Sequence, residues 1–187
     1  MLILGISGSL RRESSNTRLL RAAAAKLPPG ARLRVFDALT AIPPFNEDHE
    51  KLPAGQALFQ LRRELTAADA VLISTPEYNG SFPGQLKNAL DWVSRPLQTS
   101  PLRGRPIAVI GASSGIFGAV WARADLRRVL DAIGAPVLDE ELAVGQADTA
   151  FTLRGDLHDP DADAALAALM ARLVAAARSP ATACAAC

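Results

Sequence analysis

The run "DAVLIST" at residues 69–75 constrains the fold more than any other segment. Its apolar residues follow one another without polar alternation, as in a strand covered by helices on both faces. Such a strand needs parallel neighbours, and the chain supplies them. "MLILGIS" opens the sequence, "RPIAVIGAS" spans 105–113, and "ARLRVFDA" at 31–38 alternates in the manner of a strand nearer an edge. "APVLDEEL" at 135–142 reads as a short fifth strand.

Helical spacing fills the intervals. Residues 16–27 place Leu19, Leu20, Ala23 and Leu27 together before "PPG" stops them. Leu58, Leu61 and Leu65 make a second stripe, and Leu86, Ala89, Leu90 and Val93 a third. Ala122, Leu126, Val129, Leu130 and Ile133 make a fourth, closed by Gly134; Leu166, Leu169 and Leu173 mark a last helix over 160–178. No repeat or linker interrupts this alternation. It predicts one α/β domain over 1–178: a five-stranded parallel sheet of order 2-1-3-4-5 with helices on both faces. Residues 179–187, with Cys184 and Cys187, are expected to form a disordered tail.

Composition narrows the partners. At 187 residues, 49% of them apolar, the chain can bury a core. A formal net charge of +1, with arginines dispersed among acids, gives no basic face for nucleic acid. The opening residues lack a basic leader, and no run approaches the roughly 18 apolar residues of a membrane span, so the cytoplasm is the expected compartment. His49 and His158 have no acidic or thiol neighbours at ligand spacing, so no metal site is expected.

In a sheet of this order, ligands bind beyond the carboxyl ends of the strands, near the switch between strands 1 and 3. That rule selects the loops 8–17, 75–83 and 111–118. The first, within "GISGSLRRESSNTRLL", lacks both the third glycine of a dinucleotide loop and the glycine-lysine pair of an ATP loop. It carries Ser9, Arg11, Ser14, Ser15, Asn16 and Thr17 at a helix start. Hydroxyls, an amide, an arginine fork and free helix N–H groups suit a terminal phosphomonoester. The alternative is that Ser15 or Asn16 simply caps the helix and Arg11 is solvated.

The second loop, "TPEYNGSFPGQLKNALDW", turns at Pro76, and Asn79-Gly80 permits left-handed backbone angles. The turn exposes N–H groups beside the flat ring of Tyr78, an edge suited to a heteroaromatic ring with carbonyl and nitrogen acceptors. Tyr78 as a packed loop aromatic is the competing reading. Glu77 is the one carboxylate of the pocket loops near that ring, and a structural role is favoured for it over proton transfer. Lys87 and Trp92 read as a surface cation and a core or interface aromatic, and Pro83 as part of the following helix's first turn. The third loop, "GASSGIFGAVWARADLRRVL", offers Ser113, Ser114 and Gly115 as a further wall.

These three strings, in this order, resemble the NADPH-dependent FMN reductase family, which includes quinone- and chromate-reducing flavoproteins. The resemblance runs from residue 1 to about 145, and "PEYN…PG.LKNA.DW" is its most specific part. It implies a flavodoxin-like three-layer sandwich and FMN as bound cofactor, with NADPH or NADH as hydride donor. By position, Ser9, Arg11, Ser14 and Asn16 would hold the FMN phosphate, with Ser15 and Thr17 adjoining. Pro76, Glu77, Tyr78, Asn79 and Gly80 would line the ring, mainly through backbone groups, and Ser113 would approach from the third loop. It also implies a homodimer or homotetramer with the flavin at a subunit interface. Many relatives carry an arginine where this chain has Val120 and Trp121, so a role for that side chain does not carry over.

The implied activity is hydride transfer from NAD(P)H to flavin, then electron transfer to a small acceptor such as a quinone, free flavin or chromate. No catalytic side chain is expected. Two other readings use the same fold: an electron carrier of flavodoxin type and an FMN-binding sensor without turnover. A carrier ordinarily bears a strongly charged docking face, which a net charge of +1 disfavours.

Overall fold

The computed structural model describes residues 1–53 and 55–179, so the Cys184/Cys187 tail lies outside the described residues. Strands β1 (Leu2–Ser7), β2 (Arg32–Phe36), β3 (Ala70–Thr75), β4 (Ile107–Ala112) and β5 (Leu142–Val144) form one parallel sheet of order β2-β1-β3-β4-β5. Helices α1 (Ser15–Ala25), α2 (Gln56–Ala67), α3 (Gly84–Val93), α4 (Val120–Ile133) and α5 (Pro160–Arg178) cover it. The predicted flavodoxin-like order is the observed one.

Alternation along each strand divides the core. Leu4, Ile6, Val71, Ile73, Ile107 and Val109 face the stripes of α2, α3 and α4. Ile3, Leu72, Ala108, Ile110, Leu142 and Val144 face α1 and α5. Both faces of β3 and β4 are therefore buried, which is why their sequences show no polar alternation. β2 lies at the edge and alternates between exposed and partly buried residues before ending on buried Phe36.

Three boundaries differ from the sequence reading. The fifth strand forms at Leu142–Val144, starting at the last residue of the predicted run; upstream, Val137 makes only an isolated bridge to Ile107. Asp139, Glu140 and Glu141 explain the shift, because three successive acids cannot pass under a helical layer. They turn outward instead, towards Arg127, Arg172 and Arg123 respectively. Pro83 stands at the N-cap of α3 instead of within its first turn. The first helix ends at Ala25, with Lys26 as its C-cap, two residues before the predicted stop.

The register sets the carboxyl ends of the central strands side by side: Ser7 opposite Ser74, Thr75 opposite Gly111, and Ala112 opposite Val144. Gly8 N–H donates to the Ser74 carbonyl at 2.8 Å, drawing the first loop against the second. A Cβ at Gly8 would stand 3.3 Å from Pro76 Cδ, so glycine permits that approach.

Candidate functional site

Beyond the strand ends, the first three predicted loops meet a fourth that follows β5. Together they line a shallow cleft of about 100 Å³. Ser9, Arg11, Ser14, Ser15 and Asn16 form one side; Pro76, Glu77 and Tyr78 a second; Ala112, Ser113 and Ser114 a third. Ala147 and Asp148 close it from the loop after β5, which the sequence reading did not include. Their signal was absent because the expected strand ended at residue 142, before that loop begins.

In the first loop, Ser14 is the N-cap of α1, and its Oγ accepts from Thr17 N–H at 3.2 Å. Ser9 Oγ accepts from Arg11 N–H at 3.4 Å. Neither contact uses the hydroxyl proton, so both side chains remain able to donate to a ligand. Among the described residues, no protein acceptor takes the N–H of Ser15 or Asn16, and no carboxylate pairs with Arg11. An exposed arginine, two hydroxyl protons and two helix-end N–H groups thus converge where an anion is electrostatically favoured.

The side chain of Asn16 does something else. Its Nδ2 donates to the Ala112 carbonyl at 2.8 Å, while Oδ1 accepts from Ser74 Oγ at 2.8 Å and Ala112 N–H at 3.0 Å. One of the two Nδ2 hydrogens is thus spent within the protein, and the Asn16 backbone N–H has no protein acceptor among the described residues. The reason for the inward bonding is depth, since Asn16 is 2% exposed and must satisfy its polar atoms within the protein. Thr17 Oγ1 likewise turns inward and donates to Ser7 Oγ at 3.0 Å.

The second loop is a tight hairpin corner. Tyr78 N–H donates to Ser81 O at 2.9 Å, Ser81 N–H returns to Tyr78 O at 3.2 Å, and both corner residues have positive φ: 53° at Asn79 and 77° at Gly80. This is the type I′ geometry that Asn-Gly favours. It leaves the N–H groups of Glu77, Asn79 and Gly80 without protein acceptors among the described residues. Tyr78 is half exposed beside them and is not packed into the core. Ser81 Oγ donates to Asp125 Oδ2 at 2.5 Å, tying the hairpin to α4. That hydrogen bond first, and Arg128 second, hold the Asp125 carboxyl below its ordinary range.

Glu77 turns its carboxylate away from the cleft. Oε2 accepts from Trp121 N–H at 3.0 Å and Ala122 N–H at 3.2 Å, the first turn of α4. Ser113 Oγ accepts from Ala119 N–H at 3.1 Å and lies 3.4 Å from the Gly115 carbonyl to which it donates. Both side chains organise the third loop. Arg123, which the sequence reading passed over as one of many surface arginines, is 4% exposed; it pairs with Glu141 at 2.7 Å and donates from Nε to Gly118 O. Away from the cleft, Lys87 pairs with Asp91, and Trp92 is buried against Phe45 with its Nε1 donating to Pro43 O.

A cradle for one anion, next to a corner of free N–H donors and an open aromatic face, fits a flavin mononucleotide. The family model for NADPH-dependent FMN reductase matches residues 1–149. The chain belongs to that family. This FMN reductase family member is 42% identical over 161 residues to an NAD(P)H-dependent FMN reductase of Pseudomonas aeruginosa, with 86% of each chain covered. It is 37% identical to a quinone reductase of Pseudomonas putida over 82% of this chain and 83% of the other. Among solved structures it resembles the FerB flavoenzyme NAD(P)H:(acceptor) oxidoreductase of Paracoccus denitrificans, with a TM-score of 0.83 and 30% identity over 94% of this chain and 96% of that one. The reductase is accordingly an NAD(P)H-dependent flavin oxidoreductase that uses FMN.

Proposed function

We propose that the protein transfers electrons from NAD(P)H to quinones through FMN held in this cleft. When bound, FMN supplies the hydride-accepting and electron-donating chemistry. The chain's own groups bind and orient. Arg11, the hydroxyls of Ser9 and Ser14, and the N–H groups of Ser15 and Asn16 hold the phosphate. The N–H groups of Glu77, Asn79 and Gly80 meet the acceptor edge of the ring, and the rim beside Tyr78 stays open for a flat donor or acceptor.

The observation that carries this reading is the set of unspent donors at the carboxyl edge. At the opposite edge of the sheet Arg103, Arg105 and Arg172 are consumed by backbone carbonyls or carboxylates. A quinone is favoured as acceptor because it is flat, needs no charged docking face, and is the substrate class named for the Pseudomonas putida relative. A homodimer or homotetramer is part of the proposal: Ile116, Phe117 and Trp121 expose apolar surface beside the cleft that a second copy would cover. A donor drawn from the nicotinamide pool fits work in the cytoplasm.

The test is steady-state oxidation of NADPH and of NADH by the FMN-loaded protein, with benzoquinone, free FMN and chromate as separate acceptors. The expected result is turnover that is fastest with the quinone. Flavin that binds but supports no nicotinamide oxidation with any of them would replace the enzyme with a carrier or sensor.

A further inference from the structure

The Glu77 carboxylate is spent on a helix that cannot cap itself. The N-cap of α4 is Ala119, which has no capping side chain and sits in the left-handed region at φ 61°, ψ 41°. The first turn of α4 contains no acidic residue of its own. Its orphan N–H groups at Trp121 and Ala122 are taken instead by one oxygen of Glu77, 44 and 45 residues away in sequence. A carboxylate at that position satisfies two donors and meets the positive end of the helix dipole.

The same residue lies between Pro76 and the hairpin corner, and its own N–H is one of the free donors of the cleft. Its backbone therefore belongs to the ring edge, while its side chain belongs to α4. A second tie runs parallel to it, from Ser81 at the far end of the hairpin to Asp125 one turn further along α4. The hairpin is thus held at both ends by one helix.

We propose that Glu77 is a positioning residue: by capping α4 from outside, it fixes the ring-edge N–H groups against the phosphate loop and sets FMN affinity without touching the reacting atoms. The proposal rests on the flavin reading above. Removing the carboxylate frees the hairpin from the start of α4 and releases two N–H groups at once. The donors of the corner then lose their fixed spacing from the phosphate cradle.

The test compares Glu77→Ala, Glu77→Gln and, as a stability control, Leu130→Ala, which opens a cavity in the buried stripe of α4 far from the cleft. Amide hydrogen exchange in the apo-protein reads the cap, and FMN titration by fluorescence quenching reads the positioning. In Glu77→Ala, Trp121 and Ala122 should exchange about tenfold faster and the FMN dissociation constant should rise about tenfold. Glu77→Gln keeps an acceptor oxygen and loses the charge, so both effects should shrink to about threefold. The visible circular dichroism of bound flavin should change in Glu77→Ala and recover in Glu77→Gln.

Leu130→Ala should lower Tm yet leave the FMN constant alone. Faster exchange with unchanged FMN affinity would reduce Glu77 to a cap and overturn the positioning role. Unchanged exchange would overturn the cap itself. A wild-type protein that exchanges as expected but takes up no FMN would sink the flavin reading and the proposal with it, leaving the cap intact.

Discussion

The two edges of the sheet carry similar polar residues and spend them differently. At the amino edge there is a wider groove, about 1130 Å³, lined by Arg103, Arg105 and Arg172. It is larger than the cleft at the carboxyl edge, yet these three arginines are committed. Arg105 donates to the carbonyls of Ala68 and Pro101, Arg103 reaches the Ile133 carbonyl at the end of α4, and Arg172 pairs with Glu140. Nearby, Arg127 donates to the Leu138 carbonyl at 2.6 Å. Even the chain's amino group donates to Gly30 O, and Asp69 accepts from Leu2 N–H. At the carboxyl edge, Arg11 and a series of N–H groups have no protein acceptor among the described residues. Room alone does not make a site; uncommitted donors beside room do.

The largest effect bearing on this contrast comes from a carboxyl-edge side chain whose hydrogen bonds lie within the protein. Asn16→Ala strips partners from Ser74 Oγ and from both backbone atoms of Ala112, all buried. With each stranded group costing about 1–3 kcal/mol, unfolding by urea should show a loss of roughly 3 kcal/mol or more, with or without FMN. A loss below about 1 kcal/mol would mean that this asparagine is not a structural staple and is free for the ligand after all.

Next in size is a paired comparison of arginines. Arg11→Ala should weaken FMN binding by about tenfold or more, since hydrogen bonds to charged groups contribute about 1.5–3 kcal/mol, and should leave the apo-protein Tm unchanged. Arg127→Ala at the other edge should do the reverse, lowering Tm and sparing FMN affinity. Isothermal titration and thermal unfolding of the two variants check both halves. If Arg127→Ala weakens FMN as much as Arg11→Ala does, the distinction between the edges collapses.

The smallest effect concerns pH. The Asp125 carboxyl is held below its ordinary value of 3.8, first by Ser81 and then by Arg128. A depressed folded-state pKa contributes stability that is present above the unfolded value and is lost as pH falls through the folded one. The hairpin tie should therefore weaken only in acid, below about pH 4. The Tm difference between wild type and Asp125→Asn, clear at pH 7, should narrow as pH is lowered towards 2.5. A difference that stays constant over that range would assign it to packing.

Most of this architecture was legible in the sequence because its signals are periodic. Unbroken apolar runs gave β3 and β4, stripes gave the helices, and their alternation gave the sheet order. The same rule selected three of the four loops that line the carboxyl-edge cleft. What could not be read was the assignment of individual polar side chains. Asn16 and Ser9 look alike in a string of hydroxyls and amides, yet Asn16 is consumed by β3 and β4, which lie 58 and 96 residues away. A structural role for Glu77 was legible but its partners were not, and Arg123 gave no local signal, because the partners of both come from other parts of the chain. The fifth strand slipped for a related reason: its apolar pattern was judged without the cost of three consecutive acids.

The hairpin corner at Asn79-Gly80 has one further consequence. A turn whose two central residues already occupy positive φ, closed by a reciprocal pair of hydrogen bonds, has little conformational freedom left to lose. Its donors are presented before any ligand arrives, so cofactor capture draws little on chain entropy at this point. If FMN binds as proposed, the apo-protein already displays the ring-edge donors, and loading is limited by encounter rather than by folding of the loop.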